Sequence, residues 1–320
     1  KFLSLKKGYH GTHFGGASVN GNNRFRINYE PLMPGCFHLP SPYTYRNPFD
    51  ETDPAALAQK IAASFEDEIL FQGAQTIAAF IMEPIQGAGG VIVPDASFMK
   101  LMRDICDKYG ILMISDEVIT GFGRTGNDFG CTTMAIESPD MMTFAKQLSS
   151  AYMPISASAI RREMYDAMIE QSASAGAFGH GYTYSGHPVA CAVALKTLEI
   201  YQRDKIFEKA AVSGAYLQKR LAEFADHPLV GEVRGSGLIG ALELVANKET
   251  GEPFVGGAVG GYAQKMAQDN GLLIRTVAGS CLGFCPPLII TNEQIDEMIE
   301  KVAPALDATL DHCKKENLLR

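Results

Sequence analysis

The sequence predicts an α/β fold: a mainly parallel central sheet flanked by helices, with a smaller α/β unit towards the C-terminus. Three observations carry this reading. Residues 76–82 and 111–115 are short, almost wholly apolar runs, the pattern of strands covered on both faces. A segment of helical period joins them through short connections, which makes a parallel strand–helix–strand unit. Charged residues stand at the carboxyl ends of such runs: Glu83, Asp116, and Lys146 after a third run at 141–145. Ligands of open parallel sheets bind beyond those ends, and a charge buried there is expensive unless it is paired.

In order along the chain, residues 1–5 read as a strand on Phe2-Leu3-Ser4-Leu5. Gly8-Tyr9-His10-Gly11 is a turn presenting an aromatic ring and an imidazole, and residues 12–50, rich in Gly, Asn, Pro and Tyr, read as a long surface excursion. Asp53 suits a helix N-cap and Pro54 the first helical position. Leu57, Ile61, Phe65 and Ile69 then recur every four residues as a buried stripe, and Gly73 stops the helix. The 76–82 strand ends at Glu83-Pro84, before Gln86-Gly87-Ala88-Gly89-Gly90. Asp95 or Ser97 starts the next helix, with Phe98, Leu101, Met102, Ile105 and Tyr109 on one side and Gly110 at its end. After the 111–115 strand, residues 153–160 read as a further strand, 163–171 as a helix and 172–181 as a polar loop. The stretch 188–200 begins apolar on most sides, the mark of a buried helix, and its charged continuation to Phe224 reads as one long connector. Residues 233–245 and 272–276 read as strands. Thr291 with Gln294 forms a capping box for a last helix carrying Ile295, Met298, Ile299, Val302 and Leu306. The expected division is a large unit at 1–205, ending in the connector helix, and a small unit at 206–320.

Composition narrows the function. At 320 residues, 46% hydrophobic and 20% charged, the chain can bury a large core and form two domains. A net charge of -8 with no Lys/Arg cluster argues against nucleic acid or an anionic membrane as partner. No apolar run approaches the ~20 residues of a membrane span. Of seven scattered cysteines only Cys281 and Cys285 are close, and no second pair answers them, so no metal site is expected. Reduced thiols and a cytoplasmic location follow. The chain opens at Lys1 directly in a strand, which reads as the interior of a longer protein.

Gly121-Phe122-Gly123-Arg124-Thr125-Gly126 spells a dinucleotide fingerprint, but its context is wrong. That fingerprint leaves a strand directly and opens a helix. Here Asp116-Glu117 intervenes, and Asn127-Asp128-Phe129-Gly130 is no helix start. Gly235-Ser236-Gly237 lacks the spacing of a nucleophile elbow.

Several blocks together resemble one family. Glu83-Pro84-Ile85-Gln86-Gly87, the run from Ser115 to Gly126, Pro139-Asp140 and Ala145-Lys146 look like the class III (omega) aminotransferases of fold type I. Gly8-Tyr9-His10-Gly11, the run from Gly181 to Pro188 and Cys285-Pro286-Pro287-Leu288 match further blocks in the same order, so the resemblance covers the whole chain. It implies pyridoxal 5'-phosphate (PLP) as cofactor and Lys146 as the Schiff-base lysine and proton shuttle. Asp116 would pair with the ring nitrogen, Val118 would pack on one ring face and Tyr9 would stack on the other. His10 follows Tyr9 in the same turn, with a purely structural histidine as the alternative. Glu83 belongs to the same cofactor surroundings, more as a structural partner at the strand end than as a catalytic acid. Thr183, with the backbone N–H groups near Tyr182, resembles the segment reaching the cofactor phosphate of a neighbouring subunit, which implies a homodimer with shared sites.

Arg275 matches the arginine that grips the substrate carboxylate. Ala88 and Ile119 stand where the ornithine and 4-aminobutyrate members carry Glu and Gln, which points to the amine–pyruvate branch. The implied reaction moves an amino group from an amine or omega-amino acid to a keto acid, with pyruvate as the expected acceptor. A racemase or aminomutase on the same scaffold, or a catalytically silent fragment without cofactor, is the alternative. The family's phosphate-binding loop lies ahead of the Tyr-His-Gly turn, and no such motif occurs in these 320 residues.

Overall fold

The computed structural model describes residues 1–136 and 138–320. Strand β1 (Phe2–Leu5) forms where the sequence predicts it. The stretch 12–50 departs from the expected excursion. It holds helix α1 (Phe14–Val19) and strand β2 (Cys36–Leu39), which runs parallel to β1 with Phe2 opposite Cys36. As the edge strand of its sheet, Cys-Phe-His-Leu needs no continuous apolar character, so periodicity does not reveal it.

Helix α2 (Pro54–Gln72) is capped as expected: the Asp53 carboxylate accepts the Ala56 N–H at 2.7 Å, and Gly73 closes the helix at φ 81°. Its stripe Leu57, Ile61, Phe65 and Ile69 is buried. Strand β3 (Ala79–Met82) follows. Asp95 caps α3 (Ala96–Tyr109) through Ser97 N–H at 2.8 Å, and Gly110, at φ 65°, ends it in the left-handed region that a glycine adopts most easily. Strand β4 (Leu112–Asp116), the short α4 (Gly130–Thr133) and strand β5 (Met141–Phe144) come next. Strand β6 (Ala157–Ile160) pairs antiparallel with β5, the one departure from a parallel sheet of order β2-β1-β3-β4-β5-β6.

Helix α5 (Arg162–Ala175) overruns the start of the expected 172–181 loop. The single connector is two helices, α6 (Pro188–Arg203) and α7 (Ile206–Ala222), broken where Lys205 takes a φ of 51°. Nor is α6 buried all round: Val189 is 54% and Leu195 69% exposed, while Ala190, Ala194 and Tyr201 face the protein. An apolar face left in solvent is a surface for something to cover.

The second sheet is antiparallel. Strands β7 (Val230–Ser236) and β8 (Ile239–Asn247) form a hairpin, β9 (Glu252–Pro253) flanks β8, helix α8 (Ala258–Asp269) follows, and β10 (Arg275–Val277) pairs with β11 (Cys281–Phe284). The expected strand at 272–276 therefore starts only at Arg275. Helix α9 (Asn292–Lys315) carries the complete capping box, and its five expected core residues are all buried. Strand β8 explains how the two sheets meet. Successive side chains alternate faces, so Leu242, Leu244 and Ala246 join the core under α7 and α9, while Ile239 and Ala241 join the core of the first sheet. Glu243 lies on this second face, buried. No helix among the described residues is long and apolar enough to cross a membrane.

Candidate active site

Parallel pairing brings three carboxyl ends to one edge. Met82 lies opposite Ser115, and Asp116 opposite Thr143, so Glu83, Asp116 and Lys146 follow neighbouring strand ends. The turn at Tyr9-His10 is fastened across them. Glu83 is buried, and its two oxygens accept the N–H groups of Tyr9 and Gly87, each at 2.9 Å. Burial pushes its carboxyl up to about 7, the neighbouring His10 pulling the other way. The His10 ring Nδ1 lies 2.8 Å from Asp116 Oδ2, and the Val118 N–H donates to Asp116 Oδ1 at 3.1 Å. One carboxylate is thereby held in a fixed orientation. His10 is not a fully satisfied structural histidine, because its buried Nε2 has no partner.

The acidic pair divides its work by the two-residue period of the strand. Asp116 faces the site. Glu117 is buried on the other side, where it accepts N–H bonds from Gly130 at 2.8 Å and Cys131 at 2.7 Å and hydroxyl bonds from Ser115 and Thr120. The glycine-rich loop after it is a structural tie, with the Arg124 guanidinium donating to the carbonyls of Leu238 and Pro286.

Lys146 is not buried, contrary to its position after an apolar run. Its side chain is exposed where two cavities flank it. The surrounding protein still desolvates the ammonium and lowers its pKa, while Asp116 and Glu83 pull the other way. Its backbone is left-handed, at φ 41°, and so are Ser150 and Ala151, at 47° and 63°. Three non-glycine residues in that region are strained. Tyr201 of α6 braces them: its buried hydroxyl donates to the Gln147 carbonyl at 2.8 Å and lies 2.6 Å from Ser150 Oγ.

The first cavity, of about 960 Å³, is lined by Tyr9, His10, Glu83, Asp116, Val118, Lys146 and Tyr182. Seven of the expected residues thus share one space, although the Tyr9 ring also packs on Phe25 at 4.6 Å between centroids. Thr183 is exposed and outside it. The second cavity, of about 690 Å³, is lined by Arg275, Ala88, Tyr152 and Tyr201, and it shares Ile119 and Lys146 with the first. Lys146 therefore stands on the wall between them. Sequence reasoning missed Thr143 and Tyr201. Thr143 Oγ1 is buried without a partner on the lining of the first cavity. Its signal was available, since Met141, Thr143 and Ala145 alternate onto one face of β5.

These groups fit the ring end of PLP. A buried carboxylate, an amine and two partnerless buried polar atoms, His10 Nε2 and Thr143 Oγ1, border one cavity. At the phosphate end the support is thinner: among the described residues, Lys146 is the one lysine or arginine lining that cavity.

Residues 1–306 match the protein family described as aminotransferase class-III. The chain is 45% identical over 303 residues to the putrescine–pyruvate aminotransferase of Pseudomonas aeruginosa, which covers 94% of this chain and 65% of that protein. It is 41% identical over 314 residues to a probable mitochondrial gamma-aminobutyrate transaminase 3 of Oryza sativa subsp. indica, at 97% and 60% coverage. Among solved structures, the omega transaminase of Pseudomonas jessenii in complex with PMP is similar at a TM-score of 0.94, with 43% identity and 97% and 68% coverage. An amine transaminase from an uncultivated Pseudomonas species in the PLP-bound form gives 0.93, with 41% identity and 97% and 70% coverage. The chain spans less than two thirds of the length of these two curated relatives.

Proposed function

The chain belongs to the class III aminotransferases, and from that membership we propose that its protein transfers an amino group from an amine or omega-amino acid to a keto acid, with pyruvate as acceptor. The observation that supports this most is Lys146 on the wall between two cavities, one bordered by Asp116 and the other by Arg275. The cofactor of this class, PLP, supplies when bound an electron-accepting ring that carries the substrate nitrogen. Asp116 would hold a proton on the ring nitrogen, and its own orientation is fixed by His10 and the Val118 N–H. Val118 and Tyr9 would bound the two ring faces. Lys146 would hold the cofactor through Nζ and would carry a proton to and from the substrate carbon; its lowered pKa favours the free amine this requires. Arg275, exposed on the second cavity, gives a keto acid carboxylate a two-point grip.

Pyruvate rests on Ala88 and Ile119 and on the name of the Pseudomonas aeruginosa relative. A homodimer sharing its sites belongs to the same proposal. Thr183 is exposed outside its own chain's cavity, and the apolar Val189 and Leu195 of α6, the helix that follows it in the chain, lie open to solvent. A cytoplasmic location is proposed on the seven unpaired cysteines.

The test is purified protein with PLP, an amine and pyruvate. Alanine should form, borohydride should fix the cofactor on the Lys146 peptide, Lys146→Ala should abolish both, and sedimentation should give twice the chain mass. A cofactor that is never fixed on Lys146 would refute the reading. Arg275→Ala should raise KM for pyruvate roughly ten- to a hundredfold, the scale of a lost charge-assisted pair, and change KM for a neutral amine little. Equal effects on both would remove Arg275 from the carboxylate.

A further inference from the structure

A second polar centre lies where the two sheets meet, behind the Arg275 hairpin. Glu243, on the face of β8 turned to the first sheet, accepts from Arg46 at 2.6 Å, from Arg234 at 2.7 Å and from the Tyr43 hydroxyl at 3.0 Å. Glu232 takes the other arm of Arg234 at 2.5 Å. Both carboxylates are thus committed to arginines. Lys7 stands beside them with Nζ 5.2 Å from the centre of the Tyr43 ring, and no carboxylate among the described residues lies within ion-pair distance of it. Three cations therefore stand with two anions at this centre, beside a cavity of about 210 Å³ that Lys7, Tyr43, Arg46, Arg234, Glu243 and Ser280 line and Glu232 does not.

The hydrogen-bond balance points the same way. Ser280 is 6% exposed, and its hydroxyl has no partner. Arg46 Nε is also buried with no acceptor. A buried donor without an acceptor costs about 1–3 kcal/mol. Lys7, Arg46 and Ser280 line one small space, and the Lys7 ammonium, the Arg46 Nε–H and the Ser280 hydroxyl have no acceptor among the described residues.

We propose that this cavity is a binding site for a small monovalent anion, held by Lys7, Arg46 Nε–H and the Ser280 hydroxyl. One negative charge balances the surplus cation and supplies the acceptor that these donors lack. The remaining walls, Leu244, Pro253 and Phe254, close the site and limit its size. Burial now holds the Lys7 ammonium below the ordinary lysine range, and an anion beside it would reverse that. The site adjoins Ala278 and Gly279, which follow Arg275 in the chain, and Gly89 of the loop after Glu83. Its occupant would therefore steady both walls of the second cavity.

Chloride is the probe. Thermal unfolding of the purified protein is followed as sodium chloride replaces sodium gluconate at constant ionic strength. A saturable rise in Tm of roughly 2 °C is expected, and it should be lost in Lys7→Met and weakened in Ser280→Ala, which removes one small hydroxyl and keeps the fold. Crystals grown in bromide should show an anomalous peak between Lys7 and Ser280. A rise that both variants retain, as chloride held at Arg275 or in the first cavity would give, overturns the proposal. So does a Tm that does not respond to chloride, or a bromide peak found only elsewhere. The test uses no turnover, so its result is independent of the proposed reaction.

Discussion

Glu83 is the residue with the plainest pH signature. Its carboxyl titrates near 7 in the folded chain against 4.5 for an ordinary glutamate, because burial outweighs its two N–H donors. A raised folded value means that the native state holds the proton more tightly. The resulting stability is fully present below pH 4.5 and is lost as pH rises through 7. Relative to Glu83→Gln, the wild type should lose about 3 kcal/mol between pH 5 and 8, read by denaturant unfolding at each pH. Parallel curves would show that Glu83 stays ionised. Tyr201 makes a second residue-scale case. Tyr201→Phe removes the hydroxyl that braces the segment holding the left-handed residues Lys146, Ser150 and Ala151. It should cost about 1 kcal/mol of stability and slow the borohydride-trapped attachment of PLP to Lys146. Unchanged trapping would mean that the loop holds its shape unaided.

At the scale of elements, local signals decide most of what forms. The Asp53 and Asp95 caps, the Gly73 and Gly110 stops and the Thr291–Gln294 box all form as read from neighbouring residues. Thr291→Ala should therefore destabilise the chain by about 1 kcal/mol in denaturant unfolding, by losing the Gln294 N–H acceptor at the start of α9. Strand β2 and the start of β10 were not legible in the same way. A four-residue edge strand has too few alternations to register, and its pairing with β1 is set by the partner strand. The buried-helix reading of α6 failed for a related reason: an apolar stretch states what would be stable inside, and only packing decides which side is inside.

For the whole molecule, the joint between the sheets is ionic as well as apolar. Arg234 donates to the Gly90 carbonyl of the first sheet's loop and to Glu232 and Glu243 of the second sheet. Arg234→Met leaves two carboxylates partly or wholly buried with less compensation. It should cost about 3–5 kcal/mol, more than truncating a buried apolar residue of the same hairpin such as Val245 to Ala. If denaturant unfolding gave less than 1 kcal/mol, water would already reach the network.

The sequence by itself placed the candidate residues and their order along the chain. Glu83, Asp116 and Lys146 at strand ends and the Tyr9-His10 turn were legible because strand and turn periods are local, and parallel strands bring their ends to one edge; Arg275 was legible only through the family resemblance. Tertiary structure alone decided the pairings between distant segments. His10 meets Asp116 across 106 residues, Tyr201 reaches the Lys146 loop across 54, and Glu243 collects Tyr43 and Arg46 from about 200 residues away. No local pattern encodes such contacts, because they depend on which faces the sheets turn to each other. For the same reason, the division of Asp116 and Glu117 between site and scaffold, and the donors gathered around the cavity beside Lys7, emerge only once the chain is folded.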